Sequence, residues 1–190
     1  MPTQILRPTS TDLNEWVAGR NYDYIDDNVV KPNAGDGLNI MASEMADHDN
    51  KTYIVGFGTI DIEGGTVTNI TVYTYGRRSN VNNPEVDINM GGWQGEQECS
   101  SFGESPDWGW TDNNSFDGNW NQADLDGLQV KYIADVPLSK EIQEVDVCYV
   151  VVTYEAAPVG YGHDFIGVPA TNIGEVCGVP TANIDKIIGV

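Results

Sequence analysis

The chain has 190 residues, enough for one sizeable core with tails. Nine Lys+Arg stand against 29 Asp+Glu, a formal charge of −20, and this argues against nucleic acid and anionic membrane surfaces as partners, because both need basic clusters. No run approaches the ~18–20 apolar residues of a spanning helix, so no membrane span is expected, and the opening MPTQILRPTS lacks the apolar centre of a Sec signal.

Residues 1–10 read as an extended N-terminal arm, polar except for Ile5 and Leu6. Residues 11–154 read as one β domain. Asp12–Trp16 and Ser139–Gln143 are each expected to supply one helical turn. The strands announce themselves by alternation and by β-branched or aromatic content: Tyr53–Phe57, Thr66–Tyr75, Val86–Met90, Leu128–Tyr132 and Val145–Tyr154. Gly/Asp turns separate them, at Gly35-Asp-Gly37, Glu63-Gly-Gly65, Gly91-Gly92, Asp117-Gly118 and Asp126-Gly127. Several short strands with such turns predict an all-β, antiparallel two-sheet, jelly-roll-like sandwich with the extended N-terminal arm and a C-terminal repeat tail. Residues 155–165 are a Gly/Ala/Pro linker.

Residues 166–190 repeat with a period of 11. Gly167, Gly178 and Gly189 fall in register, as do Val168, Val179 and Val190, while Pro169, Asn172 and Ile173 match Pro180, Asn183 and Ile184. So short a repeat does not hold a core alone, because stacked repeats need about three units. It is expected to order by docking on a neighbouring copy, with Ile166, Val168, Ile173, Val176, Val179, Ile184, Ile187 and Ile188 as anchors. Strand addition to an open sheet edge is one such mode, and a head-to-tail contact of that kind builds a filament or ring. A flexible linker is the alternative.

Four of the five tryptophans lie in residues 91–124 (Trp93, Trp108, Trp110 and Trp120), among Gly, Asp, Asn and Ser. They either pack beneath a long loop or at a subunit interface, or form a glycan-binding face with Trp108, Trp110 and Trp120. Asp23, Asp26 and Asp27 are candidate ligands for a structural calcium, a cation that wants several oxygens; Asp and Asn in turns that bond their own backbone are the competing account. No other cofactor is expected. Asp112-Asn-Asn-Ser-Phe-Asp-Gly lacks the terminal Glu of a calcium-binding helix–loop–helix. Asn50, Asn69 and Asn113 open glycosylation sequons. Cys99, Cys148 and Cys177 are odd in number and lack metal spacing, Cys148 reads as a buried hydrophobe, and a disulfide from Cys99 or Cys177 stays open. Glu85, Glu96, Glu98 and Glu104 are acidic without a pairing pattern, and His48 and His163 sit in separate polar loops. No hydrolase motif is present, so the chain is not expected to be an enzyme.

Thr3–Ser10, Trp16 and Tyr22–Asp27 together resemble the opening of jelly-roll modules in phage-like and environmental sequences, and Gln122–Tyr132 with Val145–Tyr154 is similar to their closing strands. The Gly-Val and Ala182–Ile187 units resemble linker repeats of virion tail and fibre proteins. The resemblance implies a virion-appendage or extracellular-fibre protein, its location extracellular or virion-associated; together with the docking read from the repeat, the expectation is a structural subunit that self-assembles, its partner a second copy of itself. It brings no catalytic residue. A carbohydrate-binding module of a phage fibre is the second expectation and a secreted glycosidase the weaker third.

Overall fold

The computed structural model describes residues 1–16, 25, 31, 33, 40–43, 50–79, 82–136, 142–157, 175–176 and 179–180, and for 40–43, 175–176 and 179–180 the backbone alone. Two 14-residue strands form its spine: β5 (Thr66–Ser79) and β12 (Ile142–Glu155). They pair antiparallel along almost their whole length, from Ile142 opposite Ser79 to Glu155 opposite Thr66. Valine, isoleucine, threonine and tyrosine dominate both, residues that fit a pleated, half-buried surface.

Short pieces flank this spine. Along the far side of β12 lie β1 (Thr3–Leu6) and β3 (Ile40–Ser43), and between them the Cys148 amide donates to the Ile25 carbonyl at 2.9 Å. Along the far side of β5 lie β10 (Asn114–Trp120), β9 (Gly109–Trp110) and β8 (Gly103–Glu104), the last parallel to β5. The opposing sheet runs in the order β2 (Pro8–Asn14), β4 (Thr52–Phe57), β11 (Gln129–Ile133), β6 (Glu85–Asn89), β7 (Gln97–Glu98). A third, two-stranded sheet joins β13 (Glu175–Val176) to β14 (Val179–Pro180).

The core lies between the two large sheets. Val67, Ile70, Val72, Val150 and Val152 meet Tyr53, Val55, Val86, Ile88, Val130 and Tyr132, all wholly buried. Each such side chain contributes roughly 1.5–3 kcal/mol of transfer free energy. Trp16 plugs one end against Tyr53 and Tyr132, with ring centroids 6.2 and 6.3 Å away, and its indole N–H donates to the Lys51 carbonyl at 2.9 Å. The Tyr132 hydroxyl meets Thr74 Oγ1 at 2.8 Å, so the phenol is not buried without a partner.

The all-β, two-sheet antiparallel sandwich is therefore present, and its N-terminal arm is extended. The arm is laid into the sandwich: β1 edges one sheet, β2 edges the other, and Arg7 alone separates them. The helical turn expected at Asp12–Trp16 does not form. Leu13 and Asn14 instead pair with Ile54 and Tyr53 of β4, and that tertiary ladder overrides local preference. Of the other expected turn, residues 139–141 lie outside the described residues, while Ile142 and Gln143 begin β12. A short helix that the periodicity did not announce, α1 (Gln122–Asp126), is closed by a capping box in which Asn121 Oδ1 accepts the Ala123 and Asp124 amides and Asp124 accepts the Asn121 amide. No helix among the described residues is long and apolar enough to cross a membrane.

Candidate functional site

The tryptophan-rich segment forms no free excursion. Through β8 and β9 it lies along β5 and folds onto the outer face of that strand, where alternation places Tyr73, Tyr75 and Arg77. Tyr149 of β12 stands opposite Tyr73, and their rings stack at 4.7 Å, 4° from parallel. Trp110 packs at 5.1 Å from Tyr75 and edge-on to Tyr149 at 5.8 Å, and its indole N–H donates to the Asn33 carbonyl at 2.9 Å. Trp108 stacks on Tyr75 at 5.8 Å, with the Arg77 guanidinium 4.5 Å from its ring centre. Arg77 also pairs with Glu144 at 2.5 Å and donates to the Pro106 carbonyl at 3.3 Å. Five aromatic rings thus gather on one sheet face, and Trp108 and Trp110 are half-buried there by the protein's own rings. Such contacts are worth ≈ 0.5–1.5 kcal/mol beyond area burial.

Trp120 is not part of this face. It is 8% exposed and belongs to the core, its ring folded over Gly118 so closely that a Cβ there would strike the indole. Burial removes it from any glycan-stacking surface. Trp93 is the exposed tryptophan, at 43%, with the Lys131 ammonium 4.6 Å from its ring centre.

A second cluster is acidic. Glu85 of β6 and Glu98 of β7 are register partners, and they line a cleft of about 220 Å3 with Asp135, Asn82 and Asn83. Asn83 donates to Glu98 at 2.6 Å and Asn82 to Asp135 at 3.1 Å, while Arg78 donates to Asn83 at 2.8 Å. Desolvation in the cleft holds the Glu85 carboxyl above the usual range, aided by the charges of Glu96, Asp135 and Glu98. Of the four glutamates singled out in the sequence, only Glu85 and Glu98 share this cleft. Glu96 pairs with Lys131 at 3.1 Å and Glu104 with Arg78 at 3.2 Å.

Among the described residues no group of three or more His, Cys, Asp or Glu is placed to hold a metal ion. Asp23, Asp26 and Asp27, the calcium candidates, lie outside the described residues, as do His48, His163 and Cys177. Cys99 and Cys148 are free and wholly buried, so in this structure Cys99 forms no disulfide. Of the sequon asparagines, Asn50 is exposed in a left-handed turn at φ 57°, and Asn113 is exposed with its amide 3.4 Å from the Tyr73 hydroxyl. Asn69 is tied across the strand to Ser115 and Asp117 at 2.7 and 2.9 Å.

Of the assembly anchors, Val176 and Val179 are opposite one another in the β13–β14 hairpin. Ile166, Val168, Ile173, Ile184, Ile187 and Ile188 lie outside the described residues. Comparison with models of protein families, with curated proteins and with solved structures finds no match.

Proposed function

We propose that the chain is a structural subunit of a self-assembling extracellular fibre or virion appendage, polymerising head-to-tail through its C-terminal repeat. One observation carries this reading. The described part of the repeat, β13 and β14, pairs as a two-stranded sheet of its own, off both sheets of the sandwich. Two residues per strand bury little, because an isolated hairpin is marginal in water. Burial against a second copy would shelter the isoleucines and valines on either side. The subunit works by binding and carries out no reaction.

Deleting residues 164–190 should leave a folded, monomeric sandwich, read by circular dichroism and sedimentation, and should abolish filaments seen by electron microscopy of the intact chain. Filaments that persist after the deletion reject the role. A second reading, a carbohydrate-binding face of a fibre, draws on the gathering of Trp108 and Trp110 with three tyrosines on one sheet face. Glycan-array binding lost in both Trp108→Ala and Trp110→Ala would favour it.

A further inference from the structure

The sandwich presents several edges, and natural sheets protect theirs with charge, proline, bulges and brevity. β2 carries Pro8 and Asp12 and breaks register twice, between Pro8 and Ser10 and between Thr11 and Leu13. β10 carries Asp117 and breaks register before Trp120. β7 is two residues long and holds Glu98 beside Glu85. β1 differs from all three: Thr3, Gln4, Ile5 and Leu6 pair with Thr153, Val152, Val151 and Val150 in unbroken register, and none of the eight is charged.

The ladder sets which backbone groups face outward. The Pro2 carbonyl accepts the Tyr154 amide at 3.2 Å, so residues 2, 4 and 6 turn their polar groups toward β12. In an antiparallel pair the intervening residues, Thr3 and Ile5, turn theirs the other way, and among the described residues no strand lies there. Leu6 points into the core, whereas Ile5 stands on the outer face at 51% exposure beside half-buried Val151, with Met1 nearby at 82%. An uncharged strand edge with an apolar shelf is what strand addition requires: backbone bonds supply affinity, and alternate side chains fill the shelf.

The geometry points to β1 as the edge that receives residues 181–190 of a second copy, a step that rests on the polymer reading above. Residues 158–190 hold only three of the 29 Asp+Glu and one of the nine Lys+Arg. Two sandwich bodies repel each other, so a near-neutral segment meeting an uncharged edge is the electrostatically permitted contact. Within the tail, Pro169 and Pro180 lack the amide that a ladder with two neighbours needs, and the hairpin already engages Glu175–Val176 and Val179–Pro180. The ten residues TANIDKIIGV that follow contain no proline. As a strand they span about 33 Å, more than β1 needs, and place Ile184 and Ile188 on one face for the Ile5–Val151 shelf.

The test uses the full-length protein. Ile5→Lys puts a charge on the shelf, and Ile5→Pro removes the outward amide without touching a bond to β12. Each should raise the critical concentration for filaments at least about tenfold while circular dichroism of the sandwich stays unchanged. Ser115→Lys on β10 should assemble as the parent does. In a Cys177→Ser background, one copy with Ile5→Cys and another with Ile188→Cys should form an intersubunit disulfide. If deletion of residues 164–190 abolishes filaments while both Ile5 variants assemble normally, β1 is the wrong edge and the polymer reading stands. Filaments that survive the deletion remove both. A disulfide that forms only within a single copy carrying both cysteines, in a monomer, overturns the intersubunit assignment.

Discussion

Asp87 is a buried carboxylate whose removal has a calculable consequence. It lies on β6, 2% exposed, and its Oδ1 accepts the amides of Gln94 at 3.1 Å and Gly95 at 2.9 Å as well as that of Ile88 at 2.8 Å. Its Oδ2 faces the Lys131 ammonium at 3.5 Å. The carboxylate therefore ties the loop after β6 back onto the outer face of its own sheet. A hydrogen bond to a charged acceptor is worth about 1.5–3 kcal/mol, less whatever water restores to the freed amide. The Gln94 amide also donates to the Ile88 carbonyl at 3.0 Å, and exposed Gly95 rehydrates readily, so the lost bonds and the lost Lys131 pair together sum to about 3 kcal/mol for Asp87→Ala. For a chain of this size that corresponds to a fall in Tm of about 6–12 °C. Asp87→Asn keeps an acceptor oxygen and should lose about half as much. Urea denaturation gives the energy, and amide exchange at Gly95 shows whether the loss is local. An Asp87→Ala variant within about 0.5 kcal/mol of the parent, with unchanged exchange at the Gly95 amide, would refute the anchoring role.

Gly76→Ala should destabilise by about 3 kcal/mol, since a Cβ there falls inside contact with the Phe102 ring and with the Glu144 carbonyl, and backbone cannot step aside; a thermal melt within 1 °C of the parent contradicts this. Glu85 binds its proton more tightly folded than unfolded, chiefly through desolvation and then through Glu96, Asp135 and Glu98. The folded state thus holds more protons between the usual and the raised value, and stability is lost as pH rises through that window. Glu85→Gln should track the parent at the acid end and exceed it above the window, and denaturation midpoints that stay parallel with pH reject the assignment. Burial pushes the Cys148 thiol up to about 12 and the Cys99 thiol upward as well, so a Cys177→Ser variant should show no thiol to a disulfide reagent at neutral pH until it is unfolded. Prompt labelling of the native protein would overturn that.

The long strands were legible because their side chains carry the information locally. Thr66–Tyr75 and Val145–Tyr154 alternate or run apolar, and β5 and β12 extend them by a few residues at one or both ends. β10 was not legible: Asn-Ser-Phe-Asp-Gly-Asn-Trp has turn composition, and it is a strand because β5 offers it a ladder. The arm hid its strands for the same reason. The signal for α1 was present in Asn121 with Asp124 three positions on, an N-cap pattern too short to register as a period. The aromatic face needed the cross-strand register of Tyr73 with Tyr149, a pairing between residues 76 apart that no window sees. The same holds for Glu85 and Glu98, which the loop between β6 and β7 folds opposite one another. Trp120 shows the limit from the other side: three tryptophans with similar neighbours went to two different places, one of them the core.

The pairing of β1 with β12 has a mechanical consequence. β12 leads in sequence toward the repeat, and β1 is the edge proposed to receive the repeat of the next copy, so in a chain of such subunits a load would enter by one of these strands and leave by the other. They are direct neighbours, joined from Thr3 opposite Thr153 to Leu6 opposite Val150. The first bonds loaded would be those of this four-residue ladder and not the 14-residue ladder of β12 with β5, so a link would give way before the spine does.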